Sequence, residues 1–241
     1  MRNDLTLYDK VADQWWSNEV RWVRTLNNLA RGRLAWLDRA IEWSGKHVLD
    51  LGCAGGFMAE AIARRGARVT GIDPASKAIE AARRHAAQES LAIDYDVGVG
   101  ESLPYADMTF DIVVCVDVLE HVADLRSVVR EVGRVLKPGG VLAYDTINRT
   151  LLARFAVVTL CEAVLGLLPR GTHDPVLFIK PAELRVILKR AGLVPEAIEG
   201  LGPTGLDSRL DLTFGRVPCT GMLYMGLARR EAAAAGTPPR A

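Results

Sequence analysis

Cysteine, histidine and net charge are all scarce in this chain. Four cysteines, Cys53, Cys115, Cys161 and Cys219, are scattered over 241 residues without a C-x-x-C pair. That spacing excludes a zinc ribbon and a disulfide-stapled fold. Cys53 and Cys115 fall at the tips of predicted strands and read as small apolar core residues. A net charge of +1 leaves no basic surface for counterion release, so a general nucleic-acid binder is excluded. The first twenty residues carry Asp4, Asp9, Asp13 and Glu19 and no apolar stretch, so no secretory leader is read and a cytoplasmic protein is expected. No uncharged apolar run has the length of a membrane span.

What is present is a large apolar fraction, 49%, enough for a substantial core in one domain over residues 1–230. The tail 231–241, EAAAAGTPPRA, is low in complexity and is expected to fray. Residues 1–45 read as N-terminal helices, and four of the five tryptophans (Trp15, Trp16, Trp22 and Trp36) lie before residue 40. Two readings stand side by side: packing of a helical layer, or a lid of flat surfaces over an aromatic ligand. From His47 onward, apolar strands alternate with helices. Strands are predicted at 47–51, 68–72, 92–97, 110–116, 139–145, 194–199 and 220–228, and helices at 56–65, 75–88, 125–136 and 181–191. Continuous apolar runs such as DIVVCV suit a parallel sheet covered on both faces. The expected fold is therefore α/β: a Rossmann-like, seven-stranded, mostly parallel sheet with an antiparallel last strand.

The stretch Val48–Asp73, VLDLGCAGGFMAEAIARRGARVTGID, builds strand, glycine-rich turn, helix and strand, the frame of a nucleotide cleft. A dinucleotide site would carry G-x-G-x-x-G with a helix N-terminus facing a pyrophosphate. Here Asp50 precedes the turn Gly52–Gly56. An acid there repels a pyrophosphate and suits a cationic ligand without phosphate, such as S-adenosylmethionine (SAM). The missing side chains of Gly52 and Gly56 let the backbone approach the methionyl group, and Ala54 stands where a middle glycine is usual. Asp73 is placed to accept ribose hydroxyls. Gly100, Glu101 and Ser102, in the loop after the third strand, fall where adenine would lie, although an ordinary glycine-rich loop reads the same way. Val116 and Asp117 end the fourth strand on the other side of the cofactor.

Leu119-Glu120-His121-Val122 has three readings. His121 can act as general base for a phenol, Asp117, Glu120 and His121 can hold a divalent metal that chelates a catechol, or Glu120 and His121 can simply order a loop. Thr150–Leu168 is almost continuously apolar, broken by Arg154, Thr159 and Glu162, and as a helix would be roughly 27 Å long. It reads as an interfacial helix or greasy lid, part of an apolar insertion over 150–180, with a helix buried against the sheet as the plain alternative. The polar turn that follows holds His173 and Asp174, a base and its neighbour, or a turn capped by Asp174.

These residues resemble a class I SAM-dependent methyltransferase over Val48–Asp73, Phe110–Val122 and Val135–Val141. More narrowly, Ala12–Trp16, Leu119–Val122, Thr146–Thr150, Pro169–Asp174 and Phe178–Leu184 resemble the ubiquinone-biosynthesis O-methyltransferases, which methylate polyprenylated catechols and hydroquinones. The resemblance implies SAM as cofactor, with Arg33, Gly52, Asp73 and Val116 at positions that contact it. It also implies a phenolic or catecholic small-molecule acceptor and a peripheral contact of 151–168 with the inner face of a membrane. Some members are metal-dependent through acids near Glu120; no metal ligand is assigned here. Gly200–Met225 lacks the family's Asn-Pro element, which leaves the acceptor open. His121 and His173, with Asp174, are the candidate bases. Other readings are a small-molecule O-, N- or C-methyltransferase, a non-catalytic membrane-associated scaffold, and a nicotinamide oxidoreductase.

Overall fold

A computed structural model describes residues 6–232. The chain runs through helices α1 (Thr6–Lys10) and α2 (Arg21–Leu37), strand β1 (His47–Leu51), α3 (Phe57–Ala63), β2 (Arg68–Asp73), α4 (Ser76–Gln88), β3 (Ile93–Val97) and β4 (Phe110–Cys115). It continues with α5 (Leu125–Val135), β5 (Leu136–Ile147), α6 (Leu151–Ala153), a π-helical run Arg154–Val164, α7 (Pro181–Arg190), β6 (Leu193–Leu206), β7 (Leu212–Val217) and β8 (Leu223–Arg230). The strands form one sheet in the order β3-β2-β1-β4-β5-β8-β6-β7.

Strands β1 to β5 are parallel, and β8 enters antiparallel beside β5, as the sequence predicts. The sheet has eight strands rather than seven, because β7 pairs antiparallel with a β6 that extends well beyond residue 199. Residues of β7 are half-buried along most of its length and include Gly215 and Arg216, so neither alternation nor an apolar run marks it. The turn Lys137–Gly140 sits inside β5 as an irregularity: Phe110 pairs with Leu136, then Ile112 with Val141.

Adjacent residues of the central strands point to opposite faces. Leu49 and Val113 pack with α5 and α7 through Val128, Val132, Leu184 and Leu188. Val48, Ile112 and Val114 pack with α2, α3 and α4 through Leu34, Leu37, Ile62 and Ile79. Two buried faces explain why these strands read as unbroken apolar runs. Cys53 and Cys115 are buried free thiols.

Helix α2 lies unusually close to β7. A β-carbon at Gly32 would fall 2.3 Å from the Phe214 carbonyl oxygen, so only glycine permits that approach. The segment 150–168 is not the straight α-helix expected. After one α-helical turn it continues with wide i→i+5 turns through Val164. Among the described residues no helix is long and apolar enough to cross a membrane. Of the expected fraying tail, 233–241 lie outside the described residues, and the Glu231 N–H donates to the Gly192 carbonyl.

Candidate active site

The chain passes from β1 to β2 on one side and later returns to β4 on the other, so the strand order reverses between β1 and β4. A cleft must open beyond the carboxyl ends of those strands. A cavity of about 410 Å³ lies there, lined by Arg33, Asp50, Gly52, Ala54, Asp73, Gly100, Glu101, Val116 and His121 among others. Nine of the thirteen residues singled out from sequence thus share one cavity. Gly56 and Ser102 do not line it. Gly56 instead begins α3 in the left-handed region, φ 94°, and Ser102 is exposed.

The turn is held by its two acids. Ala54 has φ 43°, a conformation that strains a residue with a β-carbon. Its N–H donates to Asp73 Oδ2 at 2.9 Å, while Asp73 Oδ1 accepts from Ala75 at 2.8 Å. Burial raises the Asp73 carboxyl above its ordinary range. Asp50 is 1% exposed, and its Oδ2 has no partner. Burial, with Asp73 nearby, pushes Asp50 up to about 7. A buried, unpartnered carboxylate oxygen on a cavity wall calls for a cationic donor, and the ammonium of SAM is one. These residues fit that cofactor: Asp50 would hold the ammonium and Asp73 the ribose diol.

A pH dependence follows. Asp50 keeps its proton to about pH 7, whereas an ammonium beside it favours the carboxylate. Binding is expected to release a proton below that pH and to tighten as pH rises from about 5 to 7, by up to about tenfold per unit. In the ligand-free protein the same raised value makes ionisation unfavourable, so the Asp50 contribution to stability falls as pH rises through that window. Calorimetry of S-adenosylhomocysteine in two buffers of different ionisation heat reads the proton release; buffer-independent heats would contradict the assignment.

Arg33 lies between two carboxylates. Its Nε donates to Asp145 Oδ2 and one terminal nitrogen donates to Asp117 Oδ1, both at 2.5 Å. Asp145 Oδ1 also accepts the Asp117 N–H at 2.8 Å, which holds Asp117 at φ 52°. Glu101 borders the cavity, and its Oε1 accepts from the Ala123 N–H at 2.9 Å, which ties down the loop before α5.

A second, smaller chamber of about 80 Å³ adjoins the first, sharing Tyr8, Leu26, Asp117 and His121 with it. His173 and Trp22 line this chamber, with Val157, Cys161 and Leu167 from the apolar insertion. His121 and His173 have ring centroids 5.0 Å apart. Burial, and His173 beside it, lowers His121 to about 4, so its ring stays neutral near pH 7. The partner of His173 is not Asp174. Its Nδ1 lies 2.8 Å from Glu162 Oε1, and Glu162 also accepts the N–H groups of His173 and Gly171. Asp174 turns away and caps the short turn Pro175–Leu177 by accepting the Val176 N–H. Glu162, which reads in sequence as an interruption of an apolar run, is 3% exposed and organises the whole turn.

The metal reading also changes partners. Asp117 is taken by Arg33, and among the described residues the ligand atoms that converge within 4.8 Å belong to Glu120, His121 and His173. Burial, with Asp117 and Asp145 near, pushes Glu120 up to about 8, and Thr146 donates to its Oε2 at 2.8 Å.

The tryptophans divide between their two readings. Trp15 and Trp22 wall the cavities, whereas Trp36 packs against the core. Tyr8, which lines both cavities, and Asp145 are missing from the sequence reading. A tyrosine in a short polar segment and an acid inside an apolar strand carry no signal on their own.

The chain matches the methyltransferase domain family over residues 49–144. It is 38% identical to the ubiquinone biosynthesis O-methyltransferase of Ralstonia nicotianae over 94% of both chains. With the enzyme of that name from Chromobacterium violaceum it shares 40% over 83% of this chain and 86% of the relative. In fold it resembles a SAM-dependent methyltransferase of Thermotoga maritima, with a TM-score of 0.65 at 17% identity over 94% of this chain and 99% of that one. It also resembles the magnesium protoporphyrin IX methyltransferase of Synechocystis solved with S-adenosylhomocysteine, with a TM-score of 0.63 at 20% identity over 88% and 86% of the two chains. The chain belongs to the ubiquinone biosynthesis O-methyltransferase family and is a SAM-dependent O-methyltransferase.

Proposed function

We propose that the acceptor is a phenolic or catecholic quinone precursor with a polyprenyl tail, met at a membrane surface. SAM, when bound, supplies an electrophilic methyl carbon; the protein's work is to hold the acceptor oxygen in line with it and to take the phenol proton. The phenol proton would pass to an imidazole as the acceptor oxygen takes the methyl group. His173 suits that role: with Nδ1–H directed to Glu162, Nε2 carries the lone pair. The neutral His121 ring borders both chambers and would orient the acceptor.

One observation carries this reading. The small chamber is walled by the apolar insertion formed by α6 and the π-helical run, which leaves Leu151 85%, Phe155 58% and Val164 67% exposed. Large apolar side chains gathered on one exposed helical segment suit a lipid surface. The aromatic head would occupy the chamber, and the tail would leave along that segment.

The test compares a polyprenyl catechol in vesicles with a short water-soluble catechol. Wild-type protein is expected to float with vesicles and to prefer the polyprenyl acceptor. The triple variant Leu151→Glu, Phe155→Glu, Val164→Glu is expected to lose flotation, because each apolar side chain contributes about 1.5 kcal/mol or more on full burial. It should keep its rate on the soluble catechol. Equal rates on both acceptors, with no vesicle binding by wild type, would rule the reading out.

A further inference from the structure

Two adjacent tryptophans straddle the glycine turn and use their indole N–H groups differently. Trp16 donates Nε1–H to the Gly55 carbonyl at 3.0 Å and stacks on His85 of α4 with ring centroids 3.7 Å apart. A second tie, the ion pair of Asp13 with Arg84, helps hold this segment on α4. Trp15 stacks on Phe57 and lies over Gly55, where a β-carbon would sit 2.3 Å from the indole atoms Cδ1, Cγ and Nε1. The ring is 2% exposed and borders the large cavity. Its Nε1 has no hydrogen-bond partner among the described residues. An unmade bond of a buried donor is costly, and buried donors are almost always satisfied.

We propose that Trp15 is a cofactor-contacting residue whose indole N–H donates to the α-carboxylate of the methionyl group of SAM. Its pyrrole edge lies over the turn that the methionyl group must approach. At that end of the cofactor the ammonium is itself a donor, and Asp50 offers it an oxygen. The carboxylate is the acceptor that remains. Arg33, the cation bordering the same cavity, gives Nε and one terminal nitrogen to Asp145 and Asp117, and a carboxylate has lone pairs for more than one donor. Asp73 would take the ribose, and Gly100 stands where adenine is expected.

Calorimetry tests the bond with two ligands and Trp15→Phe, which keeps an aromatic ring on Phe57 and Gly55 and removes the N–H. S-Adenosylhomocysteine carries the carboxylate; 5′-methylthioadenosine lacks the amino-acid end. Binding of the first is expected to weaken about tenfold or more, as for a hydrogen bond to a charged group, and of the second by less than about twofold. Equal weakening of both, or none, would overturn the proposal. Wild-type protein provides an independent reading that needs no variant. The Trp15 indole proton resonance should move downfield with S-adenosylhomocysteine and stay in place with 5′-methylthioadenosine; the same shift with both ligands contradicts the bond.

Discussion

Replacing Asp73 with alanine is expected to abolish measurable binding of SAM and S-adenosylhomocysteine, a loss of at least about a thousandfold. Two effects combine. The carboxylate at the tip of β2 would accept from the ribose diol, and each charge-assisted bond contributes about 1.5–3 kcal/mol. The same carboxylate also accepts the N–H of Ala54 and of Ala75. Without it, Ala54 loses the bond that offsets its strained φ of 43°, and the turn that receives the methionyl group relaxes. Asp73→Asn separates the effects, since one amide oxygen can serve one backbone donor but not both donors and the diol. Calorimetry should therefore rank wild type above Asn and Asn above Ala. Wild-type affinity in Asp73→Ala would remove Asp73 from the cofactor site.

Replacing Arg33 with alanine is expected to be the most destabilising change in the cleft. The guanidinium is 3% exposed and bridges Asp145, which is fully buried, and Asp117. Removing one partner of a buried ion pair leaves an uncompensated charge and costs about 3–5 kcal/mol. For a chain of this size that lowers the melting temperature by roughly 6–20 °C. Arg33→Lys should recover part of this at most, because a point charge on a flexible stem cannot reproduce a planar fork between two acids. Asp145→Asn tests the origin of the loss: with one carboxylate neutralised, the cost of Arg33→Ala should shrink. Additive losses in the double variant would mean that the two side chains are uncoupled.

The half of the sheet that carries the cofactor was legible in the sequence because burial on both faces writes its strands as apolar runs, and Asp50, the glycine turn and Asp73 interrupt them at fixed places. The other half was less so. Leu212–Val217 is half-buried and contains Gly215, so no period announces a strand. The apolar segment after Thr150 was recognisable as helical, but composition does not distinguish i→i+4 from i→i+5 closure, and the π-helical run was missed. Partner choice was the least legible feature. His173 sits next to Asp174 in sequence, but the backbone turn sends that carboxylate to cap Val176, and Glu162, eleven residues away, takes its place. Arg33, matched by family likeness alone, has its principal partners 84 and 112 residues away, at separations no local pattern reports.

The close seat of Gly32 on Phe214 has a consequence for how acceptor preference can diverge. Gly32 and Arg33 are consecutive, so one turn of α2 is pressed onto the β6–β7 hairpin while its next side chain is gripped by the acids of the cofactor cleft. Leu26 and Leu29 on the same helix, with Phe214, form part of the smaller chamber. A hairpin grafted from a relative with another acceptor would therefore tilt the guanidinium as well as reshape the chamber. Acceptor range in this scaffold should drift by substitutions on the insertion side, at Val157, Cys161 or Leu167, which line the chamber and take no part in the Gly32–Phe214 contact.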